Sequence, residues 1–248
     1  MSNNFFCGRL GKRYSTAGLQ VTFIQSIKMT RSTKLKTRSH EENCFSTLPC
    51  VNSKTKRVID ILGALVGLSL TALLYLVIAP AIYLDDPGPI FFRQTRVGLN
   101  GQTFRLWKFR SMVKDAEQRK HLVTNQAQGH IFKNENDPRI TRVGHFLRRT
   151  SLDELPQFFN VLKGEMSLVG TRPPTPEEVS QYLPHHYQRL HVKPGLTGEW
   201  QVNGRSSVKD FEEVVKMDLL YQQKWSLLYD CQLIWKTLGV VFRKEGAC

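Results

Sequence analysis

From Ile61 to Leu84 the chain runs for 24 residues without a charged side chain, and this stretch constrains the fold more than any other. A helix of that length measures about 36 Å at 1.5 Å per residue, whereas the hydrocarbon core of a bilayer is about 30 Å thick. A buried helix of a soluble core is the alternative, but such helices seldom lack charge over so many residues. The run therefore predicts a helix inserted in a membrane.

Basic residues flank the apolar run on both sides, with little difference between the two. A simple span carries its excess of Lys and Arg on the cytoplasmic side, so balanced flanks indicate that both ends lie on one face of the membrane. Pro80 removes a backbone donor and can break the helix, while Gly63 and Gly67 allow close backbone approach. We predict a re-entrant helix over residues 56–86, with a single kinked span as the alternative. The flanking residues are Lys54, Lys56 and Arg57 before the run and Arg93, Arg96, Arg105, Lys108 and Arg110 after it.

The first 57 residues carry 11 Lys or Arg side chains against two acidic ones, Glu41 and Glu42, and so supply most of the formal net charge of +14. This segment is otherwise rich in Ser, Thr and Asn, and its apolar residues are scattered. Such a composition predicts a basic, mobile arm over residues 1–55. A secretory signal is not predicted, because the apolar run comes too late and no small-residue cleavage site follows it.

The strong positive charge points to an anionic partner, which could be nucleic acid, lipid headgroups or a phosphorylated substrate. The sequence contains no zinc finger, recognition helix, RNA-binding sheet motif or basic zipper, so nucleic-acid binding is not predicted. Its five cysteines form neither a metal-binding spacing nor an even-numbered framework, which argues against a secreted disulfide scaffold or a zinc module. Membrane lipids and phosphorylated substrates remain as the expected partners.

After the apolar run, the turn-forming cluster Asp85–Pro89 ends the helix. The segments Ile90–Arg93 and Thr103–Phe109 alternate as strands do, and Asn100-Gly101 between them favours a hairpin. These patterns predict the α+β class, with an α-rich domain over residues 87–248 that contains a short β-hairpin and follows the re-entrant N-terminal membrane helix. Further helices are predicted from Met112 to about His121, over Val143–Arg149, Pro176–Tyr182 and Asp210–Trp225, and a final apolar stretch lies near Leu227–Phe242.

The segment Arg148–Gln157, which reads RRTSLDELPQ, carries the most suggestive acidic residues. Ser151 followed by Glu154 forms a capping-box pattern, and this is the purely structural interpretation. Pro156 weakens that interpretation, because a proline so early in a helix loses a backbone hydrogen bond. Asp153 and Glu154 would then project side by side near arginines. Adjacent carboxylates suit Mg²⁺ where phosphates share the site, and an ionised Asp can attack phosphorus to form an acyl phosphate.

Four basic segments pair a cation with Gly, Pro or a small residue that fixes the direction of the backbone. Such segments suit the binding of phosphate oxygens, for which Arg offers bidentate contacts. Taken singly, each is more often a solvated surface charge. The aromatic residues Phe104, Trp107 and Trp200 could stack on a base or a sugar ring, although core packing is their commoner role. The four segments are Lys108–Met112, Arg172–Pro174, Lys193–Gly195 and Asn203–Arg205.

Seven motifs follow one another in order from about Lys56 to the C-terminus, over roughly 190 residues. In these motifs the chain resembles the bacterial sugar transferase family, the monotopic phosphoglycosyl transferases that start the assembly of lipid-linked polysaccharides. The motifs are Lys56-Arg57 with Asp60, DDPGPIFFRQTRVGLNG (Asp85–Gly101), KFRSM (Lys108–Met112), DPRITRVGHFLRRTSLDELPQ (Asp137–Gln157), FFNVLKGEMSLVGTRP (Phe158–Pro173), KPGLTGEWQVNGR (Lys193–Arg205) and WSLLYD (Trp225–Asp230).

The resemblance implies transfer of a hexose-1-phosphate from a UDP-sugar to a polyprenyl (undecaprenyl) phosphate at the cytoplasmic face of the bacterial inner membrane. This reaction would begin exopolysaccharide or other glycoconjugate assembly, and residues 87–248 would form the cytoplasmic-face catalytic domain of a membrane-embedded enzyme. The resemblance implies that Asp153 is the nucleophile, which forms a phosphosugar-enzyme intermediate with release of UMP, and that Glu154 assists it, the pair also holding Mg²⁺. It further implies active-site roles for Lys108 and Arg148, nucleotide binding by Arg172 and Pro173, and a supporting role for Asp230. Arg110 and Arg205 join the predicted phosphate-binding residues through their own basic segments.

The chain departs from the family pattern at three places. Ala72-Leu73 stands where many members carry Ser-Pro, Thr171-Arg172-Pro173 replaces Pro-Arg-Pro, and residues 1–55 match no part of the family pattern. Two other interpretations stay open: a single-span protein with a cytosolic phosphohydrolase domain that also uses Asp153, and a basic membrane-bound scaffold or nucleic-acid binder without turnover. The identity of the sugar is open, and so is a homodimer.

Overall fold

The computed structural model describes residues 48–126, 134, 136–203, 208 and 210–243, so most of the predicted arm lies outside the described residues. Helices and short strands alternate along this part of the chain, in agreement with the α+β class. The helices are α1 (Pro49–Asn52), α2 (Lys54–Asp85), α3 (Arg142–Arg149), α4 (Gln157–Lys163), α5 (Pro176–Ser180), α6 (Glu199–Asn203), α7 (Phe211–Lys224) and α8 (Leu227–Arg243). The strands are β1 (Phe91–Val97), β2 (Thr103–Phe109), β3 (Ser167–Val169) and β4 (Gly195–Thr197). Turns of 3₁₀ helix lie at Leu99–Gly101, Gln118–Leu122, Leu152–Glu154 and Pro184–His191.

The apolar run forms α2, a single helix of 32 residues that is long and apolar enough to cross a membrane. Ser53 caps its first turn by accepting a hydrogen bond from the backbone N–H of Lys56. The helix continues through Pro80 to its end, so the break that the proline allowed does not occur. One side of α2 is buried against the rest of the protein. The other side exposes apolar residues that include Val66, Leu76 and Leu84.

The rest of the protein binds α2 at its start, its middle and its end. Near the start, Lys56 forms a buried ion pair with Asp230 of α8 at 2.6 Å. In the middle, the missing side chain of Gly67 lets an aromatic ring of α4 approach, since a Cβ there would lie 2.4 Å from the ring. At the end, Asp85 accepts the backbone N–H of Val143 in α3 at 2.8 Å. Both ends of α2 therefore contact the same body of the protein.

β1 and β2 form the predicted antiparallel hairpin, in a register that pairs Phe91 with Phe109. β1 extends further than predicted, to Val97. Asn100 adopts a left-handed conformation in the turn, with φ of 54°, as the Asn-Gly dipeptide predicts. Both phenylalanines stack on Tyr75 of α2, so the hairpin packs against the long helix. β3 and β4 form a separate parallel pair.

The helix predicted from Met112 to His121 is wrong. Met112 bridges to Ile140 in an extended arrangement, and the next residue, Val113, donates to the carbonyl of Arg139 at 2.9 Å. This pairing with a distant segment holds the start of the stretch out of a helix, and turns with a short 3₁₀ helix follow. The other predicted helices are confirmed as α3, α5 and α7, each with its ends within two residues of the expected bounds, and the final apolar stretch forms α8.

Candidate active site

A groove of about 940 Å³ runs between α2 and α8. Four charged residues on its wall, Arg96, Lys108, Glu154 and Arg172, lie close enough to interact with one another. Most of the remaining wall is apolar, so the groove has a charged part and a larger apolar part. The apolar residues include Ile59, Leu62, Val66 and Leu70 of α2, Phe158, Leu168, and Ile234, Leu238, Val240 and Val241 of α8.

The turn that carries the two predicted acidic residues is set by its backbone. Ser151 adopts a left-handed conformation directly after α3, with φ of 56°. Leu152–Glu154 then forms one 3₁₀ turn, and Pro156 leads into α4. The capping-box interpretation is wrong, because an N-cap residue needs an extended backbone and the Ser151 side chain makes no capping hydrogen bond.

Asp153 and Glu154 both face Lys108 of β2. The Nζ of Lys108 lies 2.8 Å from Oε1 of Glu154 and 3.9 Å from Oδ2 of Asp153. Asp153 is 5% exposed, whereas the Glu154 side chain is 31% exposed and lines the groove together with Lys108. The lysine offsets the repulsion between the two neighbouring carboxylates. The site thus combines a buried carboxylate, a cation beside it and a more accessible second acid, a set that can support nucleophilic attack on phosphorus.

Arg96 of β1 lines the groove as well, although its position in the sequence marked it only as a charge flanking the helix. Its Nη1 donates to the carbonyl of Pro173 at 2.9 Å, and its Nε and Nη2 donate to the side chain of Gln94. Burial and the nearby Arg172 lower the pKa of Arg96 to about 10. An anion between these arginines would relieve their repulsion. The sequence signal that could have identified Arg96 as a groove residue is strand alternation, which places Gln94 and Arg96 on one face of β1.

The loop that carries Arg172 and Pro173 is anchored at the groove by its neighbours. Arg172 forms a bidentate pair with Glu178, with distances of 3.0 and 3.2 Å. Burial acts to raise the pKa of Glu178, but the combined effects of Arg172, Arg96 and the backbone N–H of Thr175 outweigh it and leave that pKa below its ordinary value. The carbonyl of Arg172 accepts a hydrogen bond from buried Arg189 at 3.4 Å, and that of Pro173 accepts one from Arg96. These contacts hold the Thr171-Arg172-Pro173 loop in place, although a threonine stands where the family pattern has its first proline.

Two other predicted binding residues, Arg110 and Arg148, do not line the groove. Arg110 is buried and pairs with Asp86 after the end of α2, at 3.6 Å. Arg148 donates from Nε to the hydroxyl of Ser111 at 3.1 Å. Neither arginine is among the described residues that line the groove, and Arg205 lies outside the described residues. The predicted residues that do meet at the groove wall are Lys108, Glu154, Arg172 and Pro173, with Asp153 beside them.

Asp230 occupies a supporting position away from the groove wall. Its carboxylate accepts hydrogen bonds from Lys56, from the hydroxyl of Tyr221 at 2.9 Å and from the indole of Trp225 at 3.1 Å. Burial and the neighbouring carboxylate raise the pKa of Tyr221 well above its ordinary value, so the phenol stays protonated as a donor. This network joins α2 to α7 and α8.

His185, His186 and Glu212 bring metal-ligating atoms together elsewhere in the described part of the chain. The Nδ1 of His186 accepts the backbone N–H of Leu183 at 3.0 Å, and its Nε2 lies 2.7 Å from Glu212. Because Nδ1 accepts a hydrogen bond, Nε2 carries the proton of the neutral ring and has no lone pair for a metal. The cluster therefore acts as a hydrogen-bond network between a 3₁₀ turn and α7.

Comparison with known proteins matches residues 51–244 to the family model described as bacterial sugar transferase. The chain is 52% identical over 194 residues to galactosyl transferase CpsE of Streptococcus agalactiae, covering 77% of this chain and 43% of that protein. It is 44% identical over 204 residues to the UDP-glucose:undecaprenyl-phosphate glucose-1-phosphate transferase of Escherichia coli, covering 79% and 42%. It is 38% identical over 199 residues to the exopolysaccharide production protein ExoY of Sinorhizobium fredii, covering 78% and 88%.

The long apolar helix and the match to a family of membrane-associated transferases together indicate a membrane protein. The chain belongs to the bacterial sugar transferase family, which confirms the resemblance that its motifs predicted. It spans less than half the length of the Streptococcus and Escherichia relatives and most of the length of ExoY.

Proposed function

We propose that the chain transfers a hexose-1-phosphate from a UDP-sugar to undecaprenyl phosphate, with release of UMP, and so begins exopolysaccharide or other glycoconjugate assembly. The observation that carries the proposal is the buried Asp153 beside Lys108 and Glu154, at a groove that is charged in one part and apolar in the rest. The relatives add support, since the name of the Escherichia coli protein states such a transfer of glucose-1-phosphate.

The proposed reaction has two displacements at one phosphorus atom. First, a carboxylate oxygen of Asp153 bonds to the phosphorus that carries the sugar, and the bond to the bridging oxygen breaks, so UMP leaves with the electron pair. Second, a phosphate oxygen of undecaprenyl phosphate bonds to the same phosphorus and the Asp153 carboxylate is released. Lys108, Arg96 and Arg172 would stabilise the negative charge that develops on the phosphate oxygens.

The two parts of the groove suit the two proposed substrates. Its charged part fits the diphosphate of a UDP-sugar, and the ring of Trp200, 5.9 Å from the guanidinium of Arg172, offers a stacking surface for uracil. Its apolar part, between α2 and α8, fits a polyprenyl chain, and the volume of about 940 Å³ is that of a large ligand site. A two-step reaction lets a water-soluble donor and a lipid acceptor use this groove in turn.

The proposal includes Mg²⁺, held by Asp153 and Glu154. Carboxylate oxygens are the hard donors that Mg²⁺ takes, usually one or two of them together with substrate phosphates, so the donor set fits. When bound, the ion would supply additional positive charge to the diphosphate of the donor. Without an ion, Lys108 contacts both carboxylates and offsets the repulsion between them.

Release of UMP by the full chain in nanodiscs tests this function. With undecaprenyl phosphate present, we expect at least one UDP-sugar of a panel to give UMP together with a lipid-linked sugar phosphate. A phosphohydrolase would give soluble phosphate products without the lipid product, and a scaffold would give neither. Either of these results across hexose and N-acetylhexosamine donors would contradict the proposed transfer.

We further propose that both ends of α2 lie at the cytoplasmic face of the bacterial inner membrane. This proposal is supported by the contacts that the rest of the protein makes along the length of α2. If α2 crossed the membrane, the hairpin and α3, which pack against it, would lie in the hydrocarbon core. Strand edges and charged residues such as Arg110 and Asp86 are costly there. An attachment to one leaflet that keeps both ends of α2 at the headgroup level avoids this cost and needs no break at Pro80, where α2 is continuous.

Two introduced cysteines at opposite ends of α2 distinguish this attachment from a span. Val58 and Leu84 are both exposed, so Val58→Cys and Leu84→Cys should leave the fold intact. We expect an impermeant maleimide to label both variants in inside-out vesicles and neither in spheroplasts. Peptide mapping separates each new thiol from the five native cysteines. Labelling of Leu84→Cys from outside, with Val58→Cys protected, would show that α2 spans the membrane.

A further inference from the structure

Lys193, the first residue of the Lys-Pro-Gly motif, is not among the described residues that line the groove. It lies instead on the wall of a small separate cavity of about 20 Å³ beside the start of α2. Lys56 and Arg57 line the same cavity, so three cations from two distant parts of the sequence meet there. The proposed transfer gives no role to this cluster.

Arg57 and Lys193 approach each other across Gly164. A Cβ on that glycine would lie 3.4 Å from a guanidinium nitrogen of Arg57 and 3.7 Å from the ammonium of Lys193. The guanidinium is held in place by the carbonyls of Val161 and Leu162, each at 2.7 Å. Lys193 has no hydrogen bond or ion pair with any described residue, and its side chain is half-buried. The guanidinium of Arg57 is thus fixed by hydrogen bonds and the ammonium of Lys193 is not, and both border the same small cavity.

The nearby acidic residues are already engaged. Asp60 accepts hydrogen bonds from the hydroxyl of Ser167 and the backbone N–H of Leu168, both at 2.9 Å. Asp230 pairs with Lys56. Burial, followed by the charge of Arg57, lowers the pKa of Lys193, while Asp60 acts to raise it. An anion placed between Arg57 and Lys193 would be attracted by both.

The apolar surface of α2 begins next to this cluster. Val58 directly follows Arg57 and is 55% exposed, and Leu65, two turns further along the same face, is 49% exposed. A molecule with its anionic group at the cluster would therefore have apolar protein surface beside its remaining length. This combination of charge and adjoining apolar surface matches a lipid.

We propose that Arg57 and Lys193 bind the phosphate of an anionic phospholipid whose acyl chains lie against the exposed face of α2. This site is separate from the groove, and it rests on the membrane attachment proposed above. It would orient the start of α2 at the headgroup level through a specific lipid rather than through the general negative potential of the leaflet.

Native mass spectrometry of the full chain, released from mixed micelles of phosphatidylglycerol and phosphatidylcholine, measures which lipid is retained. We expect the wild type to retain phosphatidylglycerol preferentially. Lys193→Gln should weaken this preference about fivefold, the effect of one Lys near an anionic headgroup, and Lys193→Arg should restore it. Lys216→Gln, which removes an exposed lysine of α7, is the matched control and should behave as wild type.

Each of the following results would overturn the assignment. Lys193→Gln could retain phosphatidylglycerol as the wild type does, or Lys216→Gln could lose it equally, which would indicate a nonspecific charge effect. Inorganic phosphate could displace the retained lipid, which would indicate a site for a free anion. Vesicle flotation separates the two proposals: wild type that floats without lipid preference contradicts this site alone, whereas wild type that fails to float contradicts the membrane attachment.

Discussion

Asp153→Asn is expected to lower UMP release by at least about 1,000-fold, because the amide cannot form the acyl phosphate that the proposed first step requires. The substitution keeps the size of a side chain that is 5% exposed. Lys108 keeps its closer partner, Glu154, at 2.8 Å, and loses only the longer contact of 3.9 Å. We therefore expect the variant to stay folded and membrane-bound. Single-turnover UMP release, measured without the lipid acceptor, reports on the first step alone.

The matched control for this variant is Asp115→Asn. Asp115 is exposed and pairs with Arg119 outside the groove, so its replacement should leave UMP release unchanged. Mass spectrometry of wild-type protein quenched without acceptor should find a hexose phosphate on the peptide that contains Asp153. Full turnover by Asp153→Asn, or an unmodified peptide under conditions of efficient product formation, would rule out the nucleophile.

Arg189→Leu is expected to lower the free energy of unfolding by about 3–5 kcal/mol, the usual effect of removing one partner of a buried ion pair. Arg189 and Asp218 are each 1% exposed, and the Nε of the arginine lies 2.8 Å from Oδ2 of the aspartate. The same guanidinium donates to the hydroxyl of Tyr182 at 2.7 Å. Chemical denaturation in detergent, followed by tryptophan fluorescence, measures the loss.

The size of that loss should depend on pH. Burial raises the pKa of Asp218 even with Arg189 present, and removing the arginine raises it further. The folded variant then binds a proton more readily than the unfolded chain does, so its stability falls as pH rises through the pKa of Asp218 and recovers on acidification. The double variant Arg189→Leu/Asp218→Leu should regain most of the stability and lose the pH dependence. A pH-independent loss in the single variant would mean that packing, not charge, explains the effect.

Local patterns were sufficient for the hairpin and for α3, α5 and α7, but not for the stretch from Met112 to His121. Asn100-Gly101 specifies its turn through residues adjacent in sequence, and α7 and α8 have enough length for their apolar periodicity to be read. The long helix was also predictable, because 24 uncharged residues leave few alternatives. What the sequence did not reveal is that α2 is continuous at Pro80, since the packing of the hairpin and α3 around its second half supports the helix there.

The features of the fold and the site that were not predicted depend on contacts between residues distant in sequence. The sequence from Ser151 to Glu154 is equally compatible with a helix N-cap and with a left-handed residue followed by a 3₁₀ turn. The position of α3 before it favours the turn. Lys108 and Arg110 are two residues apart, yet β2 ends between them, so one reaches the acidic pair and the other is buried beside Asp86. Arg96 was missed as a site residue because its partner Pro173 is 77 positions away in sequence.

The ion pair between Lys56 and Asp230 has a consequence for biosynthesis, because it joins residues 174 positions apart. At about 5–20 residues per second, a ribosome makes Asp230 roughly ten seconds or more after Lys56. During that interval Lys56 cannot form this ion pair. The contact at the start of α2 is therefore completed only after α8 has been made, later than the contacts with α3 and α4, and a chain truncated before α8 would lack it.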